Sequence, residues 1–160
     1  MFKKFYTILF IFIYFSISKA EIVNQVKIDG NKRVSSETIL LYGEIEKNKD
    51  LSENDLNKIL NNLYSTNFFE DVKVDLKNNV LRITVQEYPV INQLIITGEK
   101  KNSTIDQIKK IIYLKEKKSF IRSYLSNDIE LIKSLYASQG YNFAKIDAKI
   151  NKIDEENLEL

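Results

Sequence analysis

Leu56, Ile59, Leu60, Leu63 and Tyr64 fall at i, i+3, i+4, i+7 and i+8, the spacing of one face of an α-helix. Ser52, with Asp55 three residues on, has the form of a capping box at the start of that helix. Just beyond it the period changes to two. Val72, Val74 and Leu76 alternate with Asp71, Lys73 and Asp75; after a turn at Lys77-Asn78-Asn79, Leu81, Ile83 and Val85 alternate with Arg82 and Thr84. This pattern predicts an antiparallel hairpin with one apolar face and one wet face. Upstream, Val26 and Ile28 alternate with Gln25, Lys27 and Asp29 until Gly30-Asn31 supplies turn chemistry. Ser35 and Ser36 can then cap a short helix carrying Ile39 and Tyr42. The predicted order is strand, helix, helix, strand, strand.

The same order returns later in the chain. Ile22 to Gly30 matches Val90 to Gly98 at an offset of 68, with Asn-Gln and Gly in register. Leu63-Tyr64 matches Leu135-Tyr136, and Lys73 matches Lys145, at an offset of 72, so the second copy carries four more residues between its early and late parts. In that copy Leu94 and Ile96 point inward. Ser103 and Asp106 are placed to cap a helix bearing Ile105, Ile108, Ile111 and Ile112. A later helix bears Leu125, Ile129, Ile132, Leu135 and Tyr136 and closes at Gly140; Ala144, Ile146, Ala148 and Ile150 follow as the second strand. At Asn157-Leu158-Glu159-Leu160 a third strand would only be starting, so the second copy reads as C-terminally incomplete. A period of about 70 residues suits tandem α+β domains, 21–89 and 90–160, each with two helices laid on the apolar face of a sheet.

Residues 1–20 stand apart from this scheme. Lys3 and Lys4 precede an apolar run from Phe5 to Ile17, and Ser18-Lys19-Ala20 offers small residues for a peptidase. The run is shorter than the roughly 20 residues a spanning helix needs, so a signal peptide cleaved between Ala20 and Glu21 is expected. Its removal takes away three lysines and no acid, leaving 21 basic against 22 acidic residues. The remaining chain is close to neutral and offers no concentrated basic face for nucleic acid.

Composition narrows the chemistry further. The chain has no Cys and no His, so thiol nucleophiles, disulfides and the commonest general base and metal ligand are all missing. Glu70-Asp71 and Asp154-Glu155-Glu156 sit in turn-like segments without a convergent partner, and Lys100-Lys101 and the Lys115–Lys118 cluster read as solvated turns. No catalytic residue, cofactor or metal is expected. A binding module is.

The segments IVNQVKIDGNKRVSSETI (Ile22 to Ile39), LYSTNFFEDVKV (Leu63 to Val74) and VLRITVQEYPVINQLIITGEKK (Val80 to Lys101) resemble the POTRA repeats of the BamA family of outer-membrane protein assembly factors. The third segment passes from one copy to the next through Glu87-Tyr88-Pro89 without a flexible linker. The resemblance implies a βααββ fold in each copy, a three-stranded mixed sheet packed on two antiparallel helices, with the third strand central and the second at an edge. It also implies a place on the periplasmic face of the outer membrane, in a longer protein with a C-terminal membrane barrel. The partners it implies are unfolded outer-membrane β-barrel proteins and assembly lipoproteins. The client-binding edges would then be Asp71, Val72, Lys73, Val74, Asp75 and Leu76, and Ala144, Lys145, Ile146, Asp147, Ala148, Lys149 and Ile150. There, strand addition can satisfy the amides of an extended chain, and a proline at Lys73 should remove one donor. Solvated edges defended by Lys73, Lys145 and Lys149 are the competing reading. Phe68-Phe69 reads as core rather than as an anchor for clients. Two other functions share the architecture: a two-partner secretion or autotransporter-assembly transporter, and a cell-division or envelope structural protein behind an uncleaved anchor.

Overall fold

The computed structural model describes residues 21–160; the expected signal segment and its cleavage at Ala20 lie outside the described residues. Helix α2 (Glu53–Ser65) begins as its sequence requires. Ser52 accepts from the Asp55 N–H, and Asp55 accepts in turn from the Ser52 N–H at 2.8 Å, so two of the free donors at the helix start are satisfied. The first helix, α1 (Ser36–Tyr42), is capped in the same way by Ser35, which accepts from the Thr38 N–H. Both helices connect strand β2 (Gln25–Asp29) to the hairpin β4 (Phe69–Lys77) and β5 (Val80–Glu87).

The sheet order is β2-β5-β4. β5 pairs parallel to β2, from Gln25 opposite Val80 to Asp29 opposite Thr84, and antiparallel to β4, from Lys77 opposite Val80 to Phe69 opposite Glu87. The last strand of the unit is therefore its central one, and β4 is an edge, as expected. The alternation places Leu81, Ile83 and Val85 of β5 in one core with Val72 and Phe69 of β4 and with Ile39, Ile59 and Leu63 of the helices. Each side chain of this size contributes about 1.5–3 kcal/mol when fully buried. Phe69 is wholly enclosed, and Phe68 packs between it and Tyr42, with ring centroids 6.2 and 5.9 Å away. The aromatic pair belongs to the core. One element has no counterpart in the sequence reading: β1 (Glu21–Ile22) pairs with β3 (Asp50–Leu51) in a two-stranded ribbon that helps bury Val23 and Leu51.

The second unit repeats the topology on a smaller sheet. β6 (Val90–Gln93) runs parallel to β8 (Asn157–Glu159), and β7 (Asn151–Lys152) runs antiparallel to it, in the order β6-β8-β7. Helices α3 (Asn102–Ile111) and α4 (Arg122–Ser138) complete it. Gly140 takes φ +90°, the Tyr141 N–H bonds back to the Tyr136 carbonyl and the Gly140 N–H to that of Ala137, so α4 closes in a Schellman motif.

Three expectations for this unit are corrected. Ser103 does not cap α3. The helix starts at Asn102 with Lys101 as its N-cap and no side-chain cap, so Ser103 and Asp106 both lie inside it, while Glu99 accepts from the N–H groups of Lys100 and Lys101 just before it. Leu94 to Thr97 lie beyond the end of β6. Ala144 to Ile150 form no strand, since β7 holds only Asn151 and Lys152. The ladder is limited to Lys152 opposite Leu158 and Asn151 opposite Glu159, and no described neighbour pairs with the residues before Asn151.

Candidate functional site

The outer edge of β4 can be assigned residue by residue. Asn78 and Asn79 take φ 52° and 64° in a two-residue connection, the geometry of a type I′ turn, so Lys77 and Val80 close the hairpin as a hydrogen-bonded pair. Pairs then alternate along an antiparallel ladder. Asp75 and Lys73 consequently direct their amides at β5, whereas Leu76, Val74 and Val72 direct theirs away from the sheet. The expectation for Lys73 is therefore corrected: a proline there would break the ladder to β5, not the free edge.

Val72 supports this assignment independently. Its N–H donates to the hydroxyl of Tyr64, at 3.1 Å, from the last turn of α2. That hydroxyl donates to Asp71 Oδ1 at 3.1 Å and lies 3.5 Å from the Val72 carbonyl oxygen. The sequence reading counted Tyr64 only as part of an apolar stripe; the ring is 38% exposed, and its polar end reaches the strand. Among the described residues nothing bonds to the outward N–H of Val74 or Leu76. On the wet face Lys73 pairs with Asp71 at 3.5 Å and Lys77 with Asp75 at 3.2 Å, exposed pairs that contribute little to stability. A bulge between Phe69 and Asp71 ends the regular edge on the other side.

The second expected edge is arranged differently. Lys145 to Lys149 and Leu94 to Thr97 line a groove together with Ile108, Ile112, Leu125 and Ile129. In the first unit the corresponding place, between β2 and β4, is filled by β5 with Leu81, Ile83 and Val85. The structure thus gives 144–150 no ladder of its own, and only the first candidate edge is a formed strand.

Carboxylates act structurally in both units. Glu87, at the end of β5, accepts from the N–H groups of Lys32, Arg33 and Val34 at 2.8, 3.0 and 3.0 Å and meets Arg33 Nε at 3.0 Å. Arg33 also donates to the Tyr88 carbonyl at 2.7 Å. In the second unit Asp128, buried on α4, accepts from the N–H groups of Tyr113 and Leu114 at 2.7 and 2.9 Å. Among the described residues no group of three or more acidic side chains could hold a metal ion, and no helix is long and apolar enough to cross a membrane.

Residues 22–88 match the family described as POTRA domain, FtsQ-type, and residues 89–160 match POTRA, surface antigen variable number repeat. The chain belongs to the POTRA family. It is 30% identical over 141 residues to the outer membrane protein assembly factor BamA of Neorickettsia risticii, and 25% identical over 140 residues to that of Neisseria meningitidis serogroup B. These alignments cover 88% and 86% of this chain but 19% and 18% of the relatives, so the chain spans about a fifth of their length. Two solved structures share its fold at 16% identity. They are the N-terminal domain of Omp85 from Thermosynechococcus elongatus, at a TM-score of 0.54 over 86% of this chain and 60% of that one, and POTRA1-2 of the periplasmic domain of Omp85 from Anabaena, at 0.52 over 89% and 94%. The two units are thus POTRA domains in tandem, each a small mixed sheet with helices.

Proposed function

We propose that this POTRA pair, with domains at 21–89 and 90–160, is the periplasmic docking module of an outer-membrane protein assembly factor. In this reading the first domain holds unfolded β-barrel precursors by adding them as a strand to β4. The kinship with BamA supports the cellular setting. The observation that carries the mechanism is the outward row of β4, where Val74 and Leu76 present unpaired backbone groups beside a wet, salt-paired face. An extended precursor carries unsatisfied amides, and strand addition satisfies them while asking little of its side chains. That tolerance is what a module serving many sequences requires. Assembly lipoproteins are the second class of partner that this setting provides.

The test is substitution at the edge, read by titrating an extended barrel-strand peptide against the chain. Val74→Pro removes an outward N–H without touching the ladder to β5 and should abolish binding in a chain whose circular dichroism is unchanged. Lys73→Ala should leave affinity within about twofold, because an exposed charge contributes little. Normal binding by folded Val74→Pro together with loss in Lys73→Ala would assign recognition to charge instead.

A further inference from the structure

We infer that Tyr64 sets the limit of the docking edge: its hydroxyl stands in for a partner strand at Val72 and confines an incoming chain to Val74 and Leu76. The inference rests on the proposed role of β4 and adds to it a residue that decides how much of the strand is open.

The geometry carries it. Val72 belongs to the outward-facing set, so its N–H and its carbonyl both look away from β5. The Tyr64 oxygen meets the N–H at 3.1 Å and approaches the carbonyl at 3.5 Å. One atom therefore satisfies the N–H and stands in front of the carbonyl, the two groups that a neighbouring strand would use. A hydroxyl carries a single proton. Donation of that proton to Asp71 Oδ1 turns a lone pair toward the Val72 N–H and fixes the hydroxyl as an acceptor there. Asp71 is thus a positioning residue for the latch. The ring comes from the last turn of α2, a helix anchored by Ile59 and Leu63 in the core, so the hydroxyl is held in place by packing and not by its bonds alone. Beyond Val72 the bulge between Phe69 and Asp71 interrupts the strand, so the latch closes the last regular position on that side. Toward the turn nothing comparable covers Val74 or Leu76 among the described residues. The open edge is short by one residue pair, and a tyrosine is what shortens it.

Tyr64→Phe removes the oxygen and keeps the ring. Two readouts on the isotope-labelled chain test the inference. In the free protein the Val72 amide should exchange slowly in the wild type and as fast as Val74 in Tyr64→Phe, with Asp71→Ala in between. In titrations with a short soluble peptide of alternating threonine and valine, the wild type should show shifts at Val74 and Leu76 but not at Val72. In Tyr64→Phe the Val72 amide should join them and affinity should rise about tenfold, the scale of one added backbone pair. A wild-type chain whose Val72 responds as strongly as Val74, with affinity unchanged in the variant, would show that the hydroxyl yields at no cost and overturn the latch while leaving strand addition intact. If Val74 and Leu76 stay unmoved in both chains, β4 takes no strand, and the docking reading and its limit fall together.

Discussion

Two glycines at matched positions of the repeat separate backbone need from crowding. Gly30 and Gly98 both take φ +86°, a conformation L-residues rarely adopt. A Cβ on Gly30 would lie 2.1 Å from the Val85 carbonyl oxygen, whereas nothing stands within 4 Å of one on Gly98. Gly30→Ala should therefore cost roughly 2–4 kcal/mol, combining backbone strain with overpacking, and Gly98→Ala about 1 kcal/mol from strain alone. Urea denaturation monitored through amides of each domain separates the two, and equal costs would refute the crowding argument. At this scale the sequence was readable where partners are close along the chain. The Ser52–Asp55 box spans three residues and is legible; the bond that the Leu114 N–H donates to Asp128 spans fourteen and is not, because an acid on a helix face carries no local sign of burial. Tyr64 was placed on the right stripe, but its hydroxyl partner depends on how the following strand folds back.

Among elements, the end of α4 gives a dependence on pH. Tyr136, the repeat counterpart of Tyr64, donates its hydroxyl to Glu99 Oε2 at 2.7 Å. Burial, then that bond, pushes its ionisation from near 10 up to about 12. Glu99 is held below its ordinary range first by the Lys101 N–H and then by Tyr136. A raised tyrosine stabilises the fold fully below pH 10, a contribution that fades as pH climbs through about 12. A depressed carboxylate contributes above pH 4.5 and loses that contribution as pH falls through its lowered value. The link between α4 and the loop before α3 is thus complete from about pH 4.5 to 10. The protection of amides near Gly140, after correction for base-catalysed intrinsic exchange, should fall above pH 10, and Tyr136→Phe should remove the alkaline step attributable to this bond; a step of the same size in the variant would assign it elsewhere. Periodicity announced every helix, since a buried stripe is intrinsic to the segment. It overextended strands in the second domain because alternation records which face is apolar, while a strand exists only where a neighbour supplies its ladder. Ala144 to Ile150 alternate correctly and still lack one.

For the molecule as a whole, the tandem organisation was legible from the repeat alone, and the absence of a loose linker shows in how the junction is bonded. Arg33 grips Glu87 and the Tyr88 carbonyl, Lys32 reaches Glu155 at 2.8 Å, and the Val90 N–H meets the Glu156 carbonyl at 2.7 Å. No sequence pattern indicated these long-range ties, of which the Lys32–Glu155 pair joins the two units. The topology of the first domain also has a consequence in time. β2 and β4 do not pair with each other; each pairs only with β5, the last strand to leave any machine that delivers the chain N-terminus first. Until Glu87 has emerged, β2 has no ladder and the Lys32–Val34 amides no acceptor. Contacts this distant along the chain form late. A chain ending at Lys77 should accordingly leave Gln25 to Asp29 without amide protection, and extension to Tyr88 should restore it in one step; protection already present in the shorter chain would show that β2 can order alone. On this topology the final strand acts as the keystone: a half-delivered copy would stay thread, and the arrival of Val80 to Glu87 would convert it to a fold.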